Sequence, residues 1–387
     1  MTIKNSNFTD TYSEPTLTEI EMMGLLSRYD LANGHASHEL TASQRHIIHS
    51  LPVLWERGLE MKSREAELMY KDAFQQLAES PSLSGYENFK ICPTASNSID
   101  VAAAWLAQHQ MKTALIEPTF DNLYLILKRR GVALTSLPED VLHSGDYDEK
   151  LKNVDAVFLV NPNNPTGRII SSDLFREFIN WCADNKKVVV LDHSFRFFVP
   201  QTFDVYQMLV DSGVTFITLE DTGKVWPTQE LKASLLVSSA DIFHEIDLIY
   251  DEIFLCHSNF TLLILTEFLR DAKWRGLYDA VWKNVEKRRN LFRHALADSM
   301  MTINEESLSS MLSVEWVRHG SYFANDLDVV EHFKLQQLVL LPGRQFYWNH
   351  KGREAKTEFI RFALMKPENE FINAIALLEQ ELKMLAA

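Results

Sequence analysis

The sequence predicts an α/β protein: a large, mainly parallel sheet with helices on both faces, followed by a smaller α/β domain. Three observations lead there. Short β-branched runs recur from about residue 85, and amphipathic helical segments lie between several of them. Past residue 265 the texture changes to a long charged helical pattern and then three further strand-like pieces.

The first runs are KTALIEP (112–118), AVFLVNP (156–162), KVVVLDHS (187–194), TFITLEDT (215–222) and SLLVSS (234–239). They are apolar along their length rather than alternating, which marks strands buried on both faces. SIDVAAAWLAQHQ and SSDLFREFINWCADN are amphipathic helices between strands. EFLRDAKWRGLYDAVWKNVEKRRNLFRHALADS reads as a connecting helix. MLSVEWVR, LVLLPGRQFYW and EFIRFALM read as strands of the second domain, and NEFINAIALLEQELKMLA as a final helix. The expected division is an N-terminal segment over 1–44, a large domain over 45–285 and a small domain over 286–387.

Composition narrows the class. The chain has 387 residues, 46% hydrophobic and 11% aromatic, enough to bury a sizeable core. Its net charge of −15 repels polyanions, so neither nucleic acid nor an anionic membrane is an expected partner; a cationic small molecule is. The three cysteines have neither paired nor metal-like spacing, and no metal site is expected. No apolar run approaches the ~20 residues of a membrane-spanning helix, and the N-terminus lacks an apolar signal core. A reducing cytoplasm is the expected compartment.

In open parallel sheets, ligands bind beyond the carboxyl ends of the strands, and the chemically informative residues fall there. NPNNPTG (161–167) fixes a turn that presents the Asn164 amide. Asp192 ends an apolar strand, where a carboxylate is costly to bury without a cation. Lys224 follows the next strand in EDTGKVWPT. An amine nucleophile, a carboxylate for a pyridinium nitrogen and an amide for a ring hydroxyl together describe a pyridoxal phosphate (PLP) site.

The remaining parts can be sought around such a cofactor. Thr94, Ala95, Ser96 and Ser98 precede a helical pattern and suit a phosphate. Lys232 lies eight residues after Lys224; spacing alone leaves it equally suited to the phosphate or to a surface salt bridge. Phe120 and Asn122 follow the first of these strands in EPTFDN, and Phe120 can stack on a ring or simply fill core. Arg361 in FIRFALM suits a carboxylate.

These motifs, in this order, resemble the fold-type I PLP enzymes of the aspartate aminotransferase superfamily. Three positions depart from that pattern: Phe195 replaces a tyrosine, Asp221 a phosphate-binding serine, and Lys232 an arginine. A carboxylate repels a phosphate dianion, so Asp221 serves something else. NGHASHEL, EPTFDN, LDHSFRFF, EDTGKVWPTQELKASLLV and LPGRQFYW resemble a narrower group, the PLP- and oxygen-dependent L-arginine oxidases or hydroxylases of enduracididine-type natural-product biosynthesis.

That resemblance implies a homodimer that uses dioxygen as co-substrate and makes 4-hydroxy-2-oxo-5-guanidinovalerate and 2-oxo-5-guanidinovalerate from L-arginine. The 1–44 segment would be an arm that closes over bound substrate. Lys224 would be the lysine linked to the cofactor and the proton shuttle, Asp192 the pyridinium partner, with Ser194 beside it, and His35 the active-site histidine. Glu21 and Asp221 would face the guanidinium, with Thr18 assisting and Arg361 on the carboxylate. Where the group carries an aspartate before Gly-His, this chain has Asn33, which brings no charge. An ordinary aminotransferase for a basic amino acid, a cyclising enzyme on the same scaffold, and a sensor or scaffold without turnover are the competing readings.

Overall fold

The computed structural model describes residues 15–200, 202–349 and 356–386. The first fourteen residues of the expected arm lie outside the described residues. The strands are β1 (Tyr29–Asp30), β2 (Phe89–Cys92), β3 (Thr113–Glu117), β4 (Leu134–Pro138), β5 (Ala156–Val160), β6 (Val188–Asp192), β7 (Phe216–Asp221), β8 (Ser234–Ser238), β9 (Thr302–Ile303), β10 (Val314–Arg318), β11 (Leu338–Val339), β12 (Leu341–Pro342) and β13 (Phe359–Ala363).

Seven of them form one sheet in the order β2-β8-β7-β6-β5-β3-β4. All of its pairings are parallel except those of β8, which runs antiparallel to both neighbours. Every residue of β3, β5, β6, β7 and β8 is buried, as apolar strands covered on both faces should be. From β3 the chain goes outward to β4 and returns on the other side to β5, so the switch point lies between β3 and β5. β4, with sequence LTSLP, is a partly exposed edge strand.

The second sheet has the order β12-β13-β10-β9, with antiparallel pairing throughout. Two expectations need correction here. The charged connecting pattern is not one helix: Asn259–Arg275 stops at Gly276, whose φ of +79° suits glycine, and a π-helical turn, Tyr278–Trp282, leads into Lys283–Leu296. LVLLPGRQFYW is not one strand either. β11 pairs with β1 of the arm, β12 with β13, and the chain then turns through Gly343–Phe346. Pro342 has no N–H to carry the ladder further.

The arm docks by specific contacts. Thr16 and Glu19 form a reciprocal capping box at the start of helix Leu17–Gly24, and the Leu17 N–H donates to Asp121 Oδ2 at 2.7 Å. Beyond β1, the Ala363 N–H donates to the Leu31 carbonyl at 2.7 Å. The arm thus bridges the end of β3 and the second sheet, across the carboxyl edge of the large sheet.

Candidate active site

A cavity at that edge is lined by residues of the end loops of β3, β5, β6 and β7, the helix after β2, the arm and β13. Register explains the convergence: Asp192 pairs with Val160 on one side and Leu219 on the other, so the loops carrying Asn164, Ser194 and Lys224 leave the sheet side by side.

Asp192 is buried, and Ser194 donates to its Oδ1 twice, from N at 2.8 Å and from Oγ at 2.6 Å. Ser194 therefore orients the carboxylate. Burial pushes the Asp192 carboxyl up to about 6; the Ser194 hydrogen bonds oppose this, and the Asp221 and Glu220 charges add to it. A protonated ring nitrogen facing Asp192 would replace its lost solvation. Asn164 Oδ1 is buried without a partner, and the Lys224 amine makes no hydrogen bond or ion pair among the described residues. Phe195 lines the same wall with apolar surface only.

Helix Ala95–Gln108 points its N-terminus at this cavity. The Thr94 hydroxyl is its N-cap, accepting from Asn97 N at 3.2 Å and donating to Asn97 Oδ1 at 2.8 Å. That side chain is consumed by the cap, whereas the first N–H groups of the helix, at Ala95 and Ser96, remain available to an anion. Asn122 donates from Nδ2 to Ser96 Oγ at 3.1 Å, which leaves the serine O–H free to donate onward. The stem of Lys232 lies against Gly223, where a Cβ would come within 2.8 Å of Lys232 Cδ. The glycine of the Asp-Thr-Gly before Lys224 is thus explained: any larger residue there would displace Lys232. Its ammonium is bound to Glu230 and lies 3.4 Å from His35 Nε2.

Beneath the arm, Arg361 is buried and donates to Glu21 Oε1 at 3.0 Å and to the Ala32 carbonyl, while its Nε has no partner among the described residues. Gly34 packs on it so tightly that a Cβ would sit 2.9 Å from Nη1. His35 follows, with Nδ1 2.9 Å from Glu230 Oε1. The charge of Lys224, then burial, then Lys232 hold its imidazole down at about 2, so it is neutral. Asp221 is buried and accepts from Gly223 N at 3.0 Å. Phe120 lines the cavity and meets Phe346 edge to face.

Of the candidate site residues singled out from sequence, Thr18 and Ser98 do not line this cavity: Thr18 is exposed on the arm helix, and the buried Ser98 hydroxyl donates to Ser234 Oγ at 2.7 Å. Asn33 does not line it either, since its Oδ1 accepts the His35 N–H at 2.8 Å and shapes the loop. Sequence reading missed Thr119, whose buried hydroxyl has no partner among the described residues, and marked Asn122, whose buried Oδ1 has none there, only by its place at a strand end. Both follow the β3 strand in EPTFDN. A free amine, a buried carboxylate, an unpartnered amide oxygen and a helix N-terminus on one cavity fit PLP.

Comparison with known proteins agrees. The family model "Aminotransferase class I and II" matches residues 84–374. Histidinol-phosphate aminotransferase of Halalkalibacterium halodurans is 27% identical over 157 residues, 38% of this chain and 41% of that protein. The corresponding enzyme of Thermococcus gammatolerans is 27% identical over 128 residues, 32% and 36% of the two chains. The chain therefore spans about two fifths of the length of these curated relatives. Among solved structures, MppP soaked with the product 2-ketoarginine is 31% identical, with a TM-score of 0.83 over 91% of this chain and 99% of that one. Aspartate aminotransferase from Thermus thermophilus with maleate has a TM-score of 0.78 at 12% identity, over 95% and 96%, and shares the fold. By the family model, the full-length structural match and the residues on this cavity, the chain belongs to the aminotransferase class I and II family, the PLP-dependent enzymes of fold type I.

Proposed function

We propose that this protein oxidises L-arginine with dioxygen, giving 2-oxo-5-guanidinovalerate and its 4-hydroxy derivative. The observation that carries the reading is the pairing of charges on one cavity: buried Arg361 suits a carboxylate, and buried Asp221, together with a Glu21 released from Arg361, suits a cationic side chain. The similarity to MppP, whose soaked product is 2-ketoarginine, supports the same substrate.

When bound, PLP supplies an electron sink for the Cα of an attached amino acid. Asp192 would hold the ring nitrogen, Asn164 the ring oxygen, and Ala95, Ser96 and Lys232 the phosphate. Lys224, free of other partners, moves the Cα proton. Neutral His35 offers a ring nitrogen that takes or returns a proton at the substrate. Glu21, Gly34 and His35 place the arm over the cavity and restrict water. Formation of the plain 2-oxo acid balances with one dioxygen reduced to hydrogen peroxide, one water consumed and one ammonium released. The hydroxylated acid requires removal of two more electrons, balanced by a second dioxygen reduced to hydrogen peroxide and a second water that supplies the hydroxyl oxygen. The proposal extends to a homodimer, as in the family, and to a cytoplasmic setting, in which Cys92, Cys182 and Cys256 stay free thiols. No helix among the described residues is long and apolar enough to cross a membrane.

The histidinol-phosphate aminotransferase relatives favour a second reading, transamination of a basic amino acid. Mass spectrometry of products from L-arginine under air, without an added 2-oxo acid, separates the two. Both guanidino acids with ammonium support oxidation; turnover only with an added 2-oxo acid supports transamination.

A further inference from the structure

We propose that Glu230 is a positioning residue for His35, fixing the imidazole in the tautomer that carries its proton on Nδ1 and keeps Nε2 as an acceptor. The inference rests on the reading of His35 as an active-site histidine. It starts from two partners of opposite character: Nδ1 lies 2.9 Å from a Glu230 carboxylate oxygen, and Nε2 lies 3.4 Å from the Lys232 ammonium. A carboxylate can only accept and an ammonium can only donate. Both contacts are satisfied in one state of the ring, neutral with the proton on Nδ1. Doubly protonated, the ring would aim Nε2–H at an ammonium; with the proton on Nε2 alone, it would present two lone pairs to each other at Glu230.

The backbone around Glu230 is built to deliver this carboxylate. Gln229 and Glu230 have φ values of +51° and +66°, the left-handed region that non-glycine residues seldom occupy. A tight turn holds them there: Leu231 N–H donates to the Thr228 carbonyl at 3.1 Å, and the Thr228 hydroxyl donates to the Leu231 carbonyl at 2.7 Å. The strain brings no packing reward, because the Glu230 side chain is 62% exposed, where an ion pair contributes little to stability. What it does provide is a second anchor for His35, whose N–H is already held by Asn33 Oδ1 at 2.8 Å. His35 also stands between the inner cavity and an outer one that Glu230 lines, so the carboxylate reaches the ring from the solvent side without entering the substrate space. The other oxygen of Glu230 binds Lys232, tying the histidine to the cation expected on the cofactor phosphate. Lys224, Lys232, Lys366 and Arg361 all act on His35 as positive charges, and each disfavours the imidazolium.

The test is made on holoenzyme with Glu230→Ala and Glu230→Gln, read by the ¹⁵N shifts of the His35 ring and by the ratio of hydroxylated to plain oxo acid from L-arginine. In the native protein the shifts should show Nδ1–H. Glu230→Ala should lose that tautomer, and the ratio should fall about tenfold, as expected of a lost charge-assisted hydrogen bond. Glu230→Gln, whose amide oxygen still accepts from Nδ1, should restore most of both. An unchanged tautomer and ratio in Glu230→Ala overturns the proposal. If the native enzyme makes no hydroxylated acid, the hydroxylation half of the proposed function fails, and the ring shifts alone still decide the role of Glu230.

Discussion

The Arg361 guanidinium donates to Glu21 Oε1 at 3.0 Å, so the residue suited to a substrate carboxylate and an acid of the arm are partners of one another. An incoming carboxylate competes with Glu21 for Arg361, and a Glu21 displaced from it becomes available to a cation. Binding of a zwitterion with a cationic tail can thus exchange one internal ion pair for two intermolecular ones.

Removing Glu21 leaves Arg361 buried with the Ala32 carbonyl and only the charge of Asp30, itself paired with Lys366, to oppose its own. Glu21→Ala should lower stability by about 3 kcal/mol and loosen helix Leu17–Gly24. Calorimetry and amide exchange across that helix check this. Unchanged melting and exchange would mean that the pair does not hold the arm.

Asp192 gives a prediction with a definite sign. Its carboxyl is near 6 in the folded protein against an ordinary value of 3.8, raised mainly by burial. The folded state therefore holds a proton that the unfolded state has released, and stability of the cofactor-free protein falls as pH rises from about 4 to 6, then stays low. Asp192→Asn should remove that penalty, raising cofactor-free stability at pH 7.5 by about 3 kcal/mol while weakening PLP binding. Denaturation at several pH values, with cofactor titration, tests both halves; a variant less stable than native at pH 7.5 contradicts the assignment.

Asn122 donates to Ser96 Oγ and thereby directs the serine O–H elsewhere. Asn122→Asp would accept that O–H and add a negative charge near the expected phosphate. The dissociation constant for PLP should rise about tenfold or more, measured by cofactor absorbance in dialysed protein. Asn122→Ala should show a smaller rise. Equal affinity in the Asp variant would remove Asn122 from the phosphate end.

Much of this site was legible because it rests on local strings. The apolar runs ending at Asp192 and before Lys224 are buried on both faces, and such runs carry their own signal. The orientation of β8 was not legible: SLLVSS reads the same in either direction, and only the Glu220–Leu235 and Asp221–Ser234 registers show it to be antiparallel. β2 was missed because FKIC has four residues, and β4 because LTSLP is polar and half-exposed at an edge. Sequence placed Thr94 at the phosphate end, and it lines the cavity there; that its hydroxyl also caps the helix through Asn97 could not be read from spacing. Glu230 gave no signal, since its role depends on a left-handed turn and on a histidine 195 positions away in the chain.

Oxygen uptake is the most direct test of the central claim. Purified holoenzyme and L-arginine in an oxygen electrode, with no 2-oxo acid present, should consume oxygen as arginine disappears and ammonium appears, and Lys224→Ala should not. Arginine consumption that begins only on adding a 2-oxo acid, with the oxygen trace flat, would contradict it and identify an aminotransferase.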